Sequence, residues 1–175
     1  MERKALLVID VQEDFTGPQA RLPVNVVQGK KMITNINLIV ELARDLNFTV
    51  IYIGNEFNKY DLLNIFHRFA AIRDTPGAAL DKRLEIVSPY YFSKSKDDAF
   101  SNPDLLSFLK AQGIHTVVLT GVFAEGCIWA TLKGAQHYGF FTEVAVDAIA
   151  AKTDRKLGKM LKKYVESGAK LISSF

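Results

Sequence analysis

Residues Lys4 to Asp10 read KALLVID, an unbroken apolar run closed by an acid. A strand with one wet face alternates apolar and polar residues, whereas one covered on both faces is apolar throughout. The run is therefore read as the first strand of a parallel sheet, with Asp10 at its carboxyl end. Working outward, Met32, Ile36, Ile39, Val40, Ala43 and Leu46 recur at helical spacing, and Phe48 to Ile53 (FTVIYI) is a second β-rich run. Tyr90 to Ser93 reads as a short third strand. Asn102-Pro103-Asp104 then offers an N-cap followed by proline at the first helical position, in a helix that should end at Gly113. Thr116 to Thr120 (TVVLT) is the fourth strand, Glu125 to His137 a helix, Phe141 to Val146 the fifth strand, Asp154 to Glu166 a helix and Ala169 to Ile172 the sixth strand. This alternation predicts an α/β fold: a three-layer α/β/α, doubly wound domain with a six-stranded, mainly parallel sheet, because parallel neighbours need right-handed crossovers. The stretch from Gly54 to Pro89 is the least periodic. It is expected to hold a helix over Tyr60 to Ala71, a turn at Thr75-Pro76-Gly77 and the residues that shape a substrate pocket.

With 175 residues and 49% hydrophobic content, a single domain over residues 1–175 can fill one core. The 22 basic and 19 acidic residues are spread along the chain, which argues against nucleic-acid and anionic-membrane partners. The opening MERKALLVIDVQEDF is too short in its apolar part, acidic at its end and without a small-residue cleavage site, so it does not read as a signal peptide. No stretch reaches the ~18 apolar residues of a membrane span. A single cysteine, Cys127, excludes an internal disulfide and a thiolate-rich metal cluster, and suits a reducing cytoplasm. That cysteine is either inert packing or a reactive nucleophile.

In open parallel sheets the ligand crevice lies beyond the carboxyl ends of the strands. Asp10 closes strand one, Lys94 follows strand three, and Cys127 lies just beyond strand four. Taken singly, each has a bland reading: a cap, a solvated charge, a packed thiol. Their shared edge is what points to chemistry. In Leu119 to Thr131 (LTGVFAEGCIWAT), Gly121, Ala124 and Gly126 let backbone approach a ligand closely. A cysteine near a helix N-terminus, with a lysine at hand, is expected to favour thiolate. A neighbouring carboxylate opposes the thiolate but can accept its proton if burial has raised the carboxylate's own pKa. A flavodoxin-like nucleotide site is disfavoured, because QEDFTGPQARL after strand one is acidic and lacks a glycine-rich phosphate cradle.

Three segments, ALLVIDVQEDF (Ala5 to Phe15), KSKDDAF (Lys94 to Phe100) and GVFAEGCIWAT (Gly121 to Thr131), together resemble the isochorismatase-like cysteine hydrolases, the relatives of nicotinamidases and N-carbamoylsarcosine amidase. The resemblance implies Asp10 as proton acceptor and donor, Lys94 as its charged neighbour and Cys127 as nucleophile. It also implies a cis peptide joining Val122 to Phe123, an oxyanion hole made by the backbone N–H groups of Phe123 and Cys127, and assembly as a homodimer or homotetramer. Where the family commonly has Ala-Thr-Asp, this chain has Phe123-Ala124-Glu125, so a larger side chain stands beside the oxyanion site. Nicotinamidases hold a metal through Asp-x-His after strand two and a further histidine; here the matching stretch is Gly54-Asn55-Glu56-Phe57. His67, His115 and His137 are read as surface or structural histidines, Glu56 and Asp61 at most as a weak oxygen site, and no cofactor or metal is expected. The retained cysteine favours acyl transfer on an amide or ureido C–N bond of a small molecule. Phe15, Phe57 and Trp129 are the expected pocket aromatics. The alternative is a non-catalytic binding or scaffolding member of the same fold, with Cys127 only packed.

Overall fold

The computed structural model describes residues 3–173. Its centre is β1 (Lys4–Ile9), flanked by β2 (Thr49–Asn55) and β4 (Thr116–Val122); β3 (Tyr91–Lys94) lies beyond β2, and β5 (Phe141–Ala150) and β6 (Lys170–Ile172) beyond β4. All neighbouring strands are parallel, so the sheet is wholly parallel where the sequence predicted a mainly parallel one. The two-sided burial inferred from KALLVID is explicit. Ala5, Leu7 and Ile9 enter one apolar cluster, with Leu105, Leu109, Leu132, Met160 and Tyr164. Leu6 and Val8 enter the other, with Met32, Ile36 and Val40.

The second cluster is covered by α2 (Val26–Asp45), which follows a single turn, α1 (Glu13–Thr16). The first cluster is covered by α3 (Pro103–Ala111), α4 (Trp129–His137) and α5 (Asp154–Glu166). Asn102 caps α3 by accepting from the Asp104 N–H, with Pro103 at its first position, and Thr153 caps α5 by accepting from Lys156. Each satisfies an otherwise orphaned donor.

Three expectations are corrected. The helix foreseen over Tyr60 to Ala71 is only a 3₁₀ turn, Leu62–Ile65, because Arg68, Phe69 and Ala71 take left-handed φ of 54°, 56° and 51°; such residues end any right-handed helix. The helix foreseen from Glu125 begins instead as a π-type turn, Ala124–Ile128, broken at Gly126 (φ −120°, ψ −105°), before α4 starts at Trp129. The Tyr164 hydroxyl donates to the Ala124 carbonyl at 2.5 Å and pins that turn to α5. Strand β5 also runs to Ala150, past the expected Val146, with a register shift against β4 between Leu119 and Gly121. No helix among the described residues is long and apolar enough to cross a membrane.

Candidate active site

Strand order reverses between β1 and β4: the chain winds outward through β2 and β3 on one side, then returns to build β4 to β6 on the other. This is the switch point at which parallel sheets open a crevice. Four side chains meet there, from the carboxyl ends of four adjacent strands. Asp10 leaves β1 with φ 55°, a left-handed turn that aspartate tolerates better than most residues. Its N–H donates to the Ile53 carbonyl at 2.8 Å, which fixes the turn. At Gly121 the backbone has φ 107°, and a Cβ there would collide with the Ile9 carbonyl; only glycine lets β4 pass so close to β1 below the site.

The Lys94 ammonium, wholly buried with Asp10, donates to Asp10 Oδ2 at 2.9 Å, to Asn55 Oδ1 at 2.9 Å and to the Lys96 carbonyl at 3.1 Å, and lies 3.4 Å from Cys127 Sγ. Asn55 Nδ2 donates to the same Asp10 Oδ2 at 2.9 Å and stands 3.7 Å from the sulfur. Gln12, fully buried, holds Asn55 by its backbone: its Oε1 accepts from the Asn55 N–H and its Nε2 donates to the Asn55 carbonyl, both at 2.8 Å. The thiol's own donor contact is to Asp97 Oδ1, at 3.8 Å. Asp10 Oδ1 is buried with no hydrogen-bond partner.

Burial raises the Asp10 carboxyl above the usual aspartate range, and the adjacent Lys94 offsets this only in part. Burial works against the Lys94 charge, but the Asp10 carboxylate more than restores it and holds Lys94 above its ordinary value. Burial, then the Asp10 charge, push the Cys127 thiol well up, outweighing the pull of Lys94. Burial and the Asp10 charge thus oppose the thiolate expected from the helix start, the cysteine sitting inside a kinked π-type turn, out of water.

The crevice encloses about 170 Å³, below the ~300–1,000 Å³ of drug-sized sites. Asp10, Asn55 and Cys127 form its floor; Phe15, Phe57, Leu22 and Phe123 its apolar walls; Asp97, Glu125 and Lys152 its polar surround. Phe15 and Phe123 meet edge to face, 5.7 Å between centroids, and the Lys152 ammonium lies 5.5 Å over the Phe123 ring. The Val122–Phe123 peptide bond is cis. Of the three aromatics foreseen, Phe15 and Phe57 line the crevice and Trp129 does not: it packs on Tyr164, with the Lys163 ammonium 4.1 Å from its ring centroid, because the π-type turn points it into the helical layer. His67, foreseen as surface or structural, stacks on Phe57 at 4.8 Å and lines the crevice.

Sequence reasoning missed Asn55, Gln12 and Asp97. Asn55 was within reach of the criterion that found Asp10, since it too is a polar residue closing an apolar strand. For a resident metal the donor set does not fit. Asn55 is engaged with Lys94 and Asp10, Glu56 with Arg73 and Tyr91, and Asp61 caps the 3₁₀ turn through the Leu63 N–H. Among the described residues no group of three or more His, Cys, Asp or Glu side chains is placed to hold an ion.

The chain matches the isochorismatase domain over residues 4–174. A probable inactive nicotinamidase of Arabidopsis thaliana is 33% identical over 161 residues, covering 85% of this chain and 81% of the relative. The maleamate amidohydrolase of Pseudomonas putida is 30% identical over 156 residues, covering 84% of this chain and 72% of the relative. The crystal structure of an isochorismatase-like hydrolase from Alkaliphilus metalliredigens superposes with a TM-score of 0.91 at 27% identity, covering 98% of this chain and 95% of that one.

Proposed function

We propose, from the premise that this chain belongs to the isochorismatase family, that it is a metal-independent cysteine hydrolase, one domain over residues 1–175, cleaving an amide or ureido C–N bond of a small molecule. The observation that carries this reading is the meeting of Cys127 Sγ, the Lys94 ammonium and an aspartate whose second oxygen, Asp10 Oδ1, is buried and unpaired. A carboxylate so placed is a base awaiting a proton. The likeness to an amidohydrolase supports the bond type, and the 170 Å³ crevice supports a small substrate.

In this mechanism Asp10 Oδ1 takes the Cys127 proton as the thiolate attacks the carbonyl carbon. The backbone N–H groups of Phe123 and Cys127 receive the developing oxyanion, each such donor contributing ~3 kcal/mol. Asp10 returns the proton to the departing nitrogen, leaving a thioester. It then takes a proton from water, whose oxygen attacks the thioester and frees the acid, and the proton goes back to the sulfur. Lys94 keeps Asp10 oriented and balances its charge, while Phe15 and Phe57 enclose the acyl group. The raised Asp10 pKa makes it a stronger base toward the thiol.

Replacement of Cys127 by alanine should abolish ammonia release from a panel of small amides and ureido acids, together with the thioester mass adduct, while the circular dichroism stays unchanged. Turnover at the normal rate without the sulfur would refute covalent catalysis. A non-catalytic binding member is the second reading. It is favoured by the burial of the thiol, which pushes its pKa up, and by likeness to a relative named as probably inactive; a protein that binds such amides but never acylates Cys127 would establish it. Assembly as a homodimer or homotetramer belongs to the same proposal, supported by the exposed apolar run of Leu62, Leu63, Ile65, Phe66 and Phe69.

A further inference from the structure

Asp97 has no place in the mechanism above, yet its Oδ1 stands within acceptor reach of the Cys127 thiol. It lies in the bend after β3, exposed to solvent and lining the crevice, so it is not a packing residue. Its carboxylate oxygen stands 3.8 Å from the sulfur. A carbonyl carbon poised for attack lies about 3–3.5 Å from its nucleophile, and the nitrogen bonded to it only about 1.33 Å further. An amide or ureido N–H on the Asp97 side of the sulfur therefore falls within hydrogen-bond reach of that oxygen. An ester or thioester in the same place offers no donor.

Without such a donor, Asp97 opposes the chemistry. Once the thiol ionises, the contact that it now donates becomes a meeting of two anions. The groups facing the sulfur are the neutral Asn55, the Lys94 cation already shared with Asp10, Asp10 itself and Asp97, with Glu125, Lys152 and His67 further round the crevice. Two carboxylates thus share one sulfur, and among the described residues Asp10 is ion-paired with Lys94 while Asp97 has no salt bridge. We propose that Asp97 is a specificity-determining residue that accepts the N–H of the scissile amide or ureido group, and so makes ionisation of Cys127 conditional on a nitrogen-bearing substrate. This rests on the cysteine-hydrolase reading and deepens it, by naming the group that selects C–N over C–O bonds.

The test has two arms, one of which needs no substrate. Methyl methanethiolsulfonate is a small neutral thiol reagent without N–H donors, and its rate of labelling Cys127 across pH reports the thiolate directly. In both Asp97→Asn and Asp97→Ala the labelling midpoint should move to lower pH, by roughly one unit, which is about tenfold faster labelling below the midpoint. The other arm compares propionamide with methyl propionate, one acyl group with and without N–H donors, by mass spectrometry of acylated Cys127. The ratio of amide to ester acylation should fall about tenfold in Asp97→Ala, as for a lost charge-assisted hydrogen bond. It should recover in part in Asp97→Asn, which keeps an acceptor oxygen. Labelling midpoints that stay at the wild-type pH would overturn the proposal, as would equal effects of Asp97→Ala on amide and ester. Either result would leave Asp97 a solvated rim charge, and the cysteine mechanism would stand or fall on the Cys127→Ala variant alone.

Discussion

Asp10, at the end of β1, and Asp81, in the loop between β2 and β3, are both buried aspartates beside a cation, yet their acidities move in opposite directions. Asp10 is raised because burial outweighs the pull of Lys94. Asp81 is lowered because hydrogen bonds from Arg83 and Thr16 outweigh burial. The difference is saturation. Asp81 Oδ1 accepts from the Arg83 N–H at 3.0 Å and Nε at 2.9 Å, and Oδ2 from Arg83 Nη2 at 2.5 Å and the Thr16 hydroxyl at 2.7 Å. Every lone pair has a donor, so the charge is stable and chemically idle. At Asp10 both donors crowd Oδ2 and Oδ1 has none. A saturated carboxylate holds structure; a half-satisfied one is available for proton transfer.

The sharpest way to break this contrast is to neutralise each aspartate in turn. Asp10→Asn should lower kcat/KM on whichever amide proves to be turned over by ~10²–10⁴-fold, the usual range for a lost general base, with the folded spectrum retained. The wild-type rate should fall as pH drops through the raised Asp10 pKa, since only the ionised carboxylate can take the thiol proton; an acid limb at the ordinary aspartate value would contradict the assignment. Both measurements come from one set of pH-rate profiles.

The aspartate proposed as the base was legible in the sequence and the saturated one was not, for a physical reason. Asp10 terminates a strand whose two-sided burial is written in its own residues, and the same holds for β2 and β4. The pattern of α5 is equally local, and Asp154–Glu166 is read to the residue. Asp81 lies in the stretch from Gly54 to Pro89, whose shape comes from contacts distant in sequence. Gln12 Nε2 donates to the Ala78 carbonyl, Asp14 Oδ2 accepts from the Ala71 N–H at 2.8 Å, and the Asp81 N–H donates to the Val11 carbonyl at 2.9 Å. A loop moulded by side chains of another segment carries no periodicity of its own, which is why a helix was foreseen over Tyr60 to Ala71 where a 3₁₀ turn stands. Trp129 failed for a related reason: its direction is set by the break at Gly126, which no spacing rule announces.

A smaller effect is expected from Asp81→Asn. Charge-assisted hydrogen bonds of a buried carboxylate contribute ~1.5–3 kcal/mol, but the Arg83 side chain is 43% exposed and solvent screens it, so the loss should be about 1–2 kcal/mol. The sign with pH follows from the lowered pKa. Stability from Asp81 is present above the unfolded-state value and disappears as pH falls through the folded one, so the variant's deficit in urea denaturation should be largest near neutrality and close in acid. Activity per folded molecule should be unchanged. A loss of turnover without a loss of stability would reverse the roles assigned to the two aspartates.

The finest test removes one donor and leaves the charge. Thr16→Val deletes the hydroxyl that reaches Asp81 Oδ2 and keeps the shape of the side chain, so Asp81 retains Arg83 and loses one of four donors. A single hydrogen bond contributes about 1 kcal/mol, and the midpoint of urea denaturation should fall accordingly. The Asp81 carboxyl, followed by its carbon chemical shift through an acid titration, should move up toward the ordinary range. If saturation is what separates the two sites, the shift must be graded in this way. Thr16 follows Phe15, which walls the crevice, so the same variant also asks whether the loop's anchoring reaches the chemistry. With Arg83 still clamping Asp81 through both oxygens, kcat/KM should stay within about twofold of wild type, the scale of a surface substitution. A larger drop would mean that the idle aspartate positions Phe15, and the division between the structural and the chemical carboxylate would have to be redrawn at that residue.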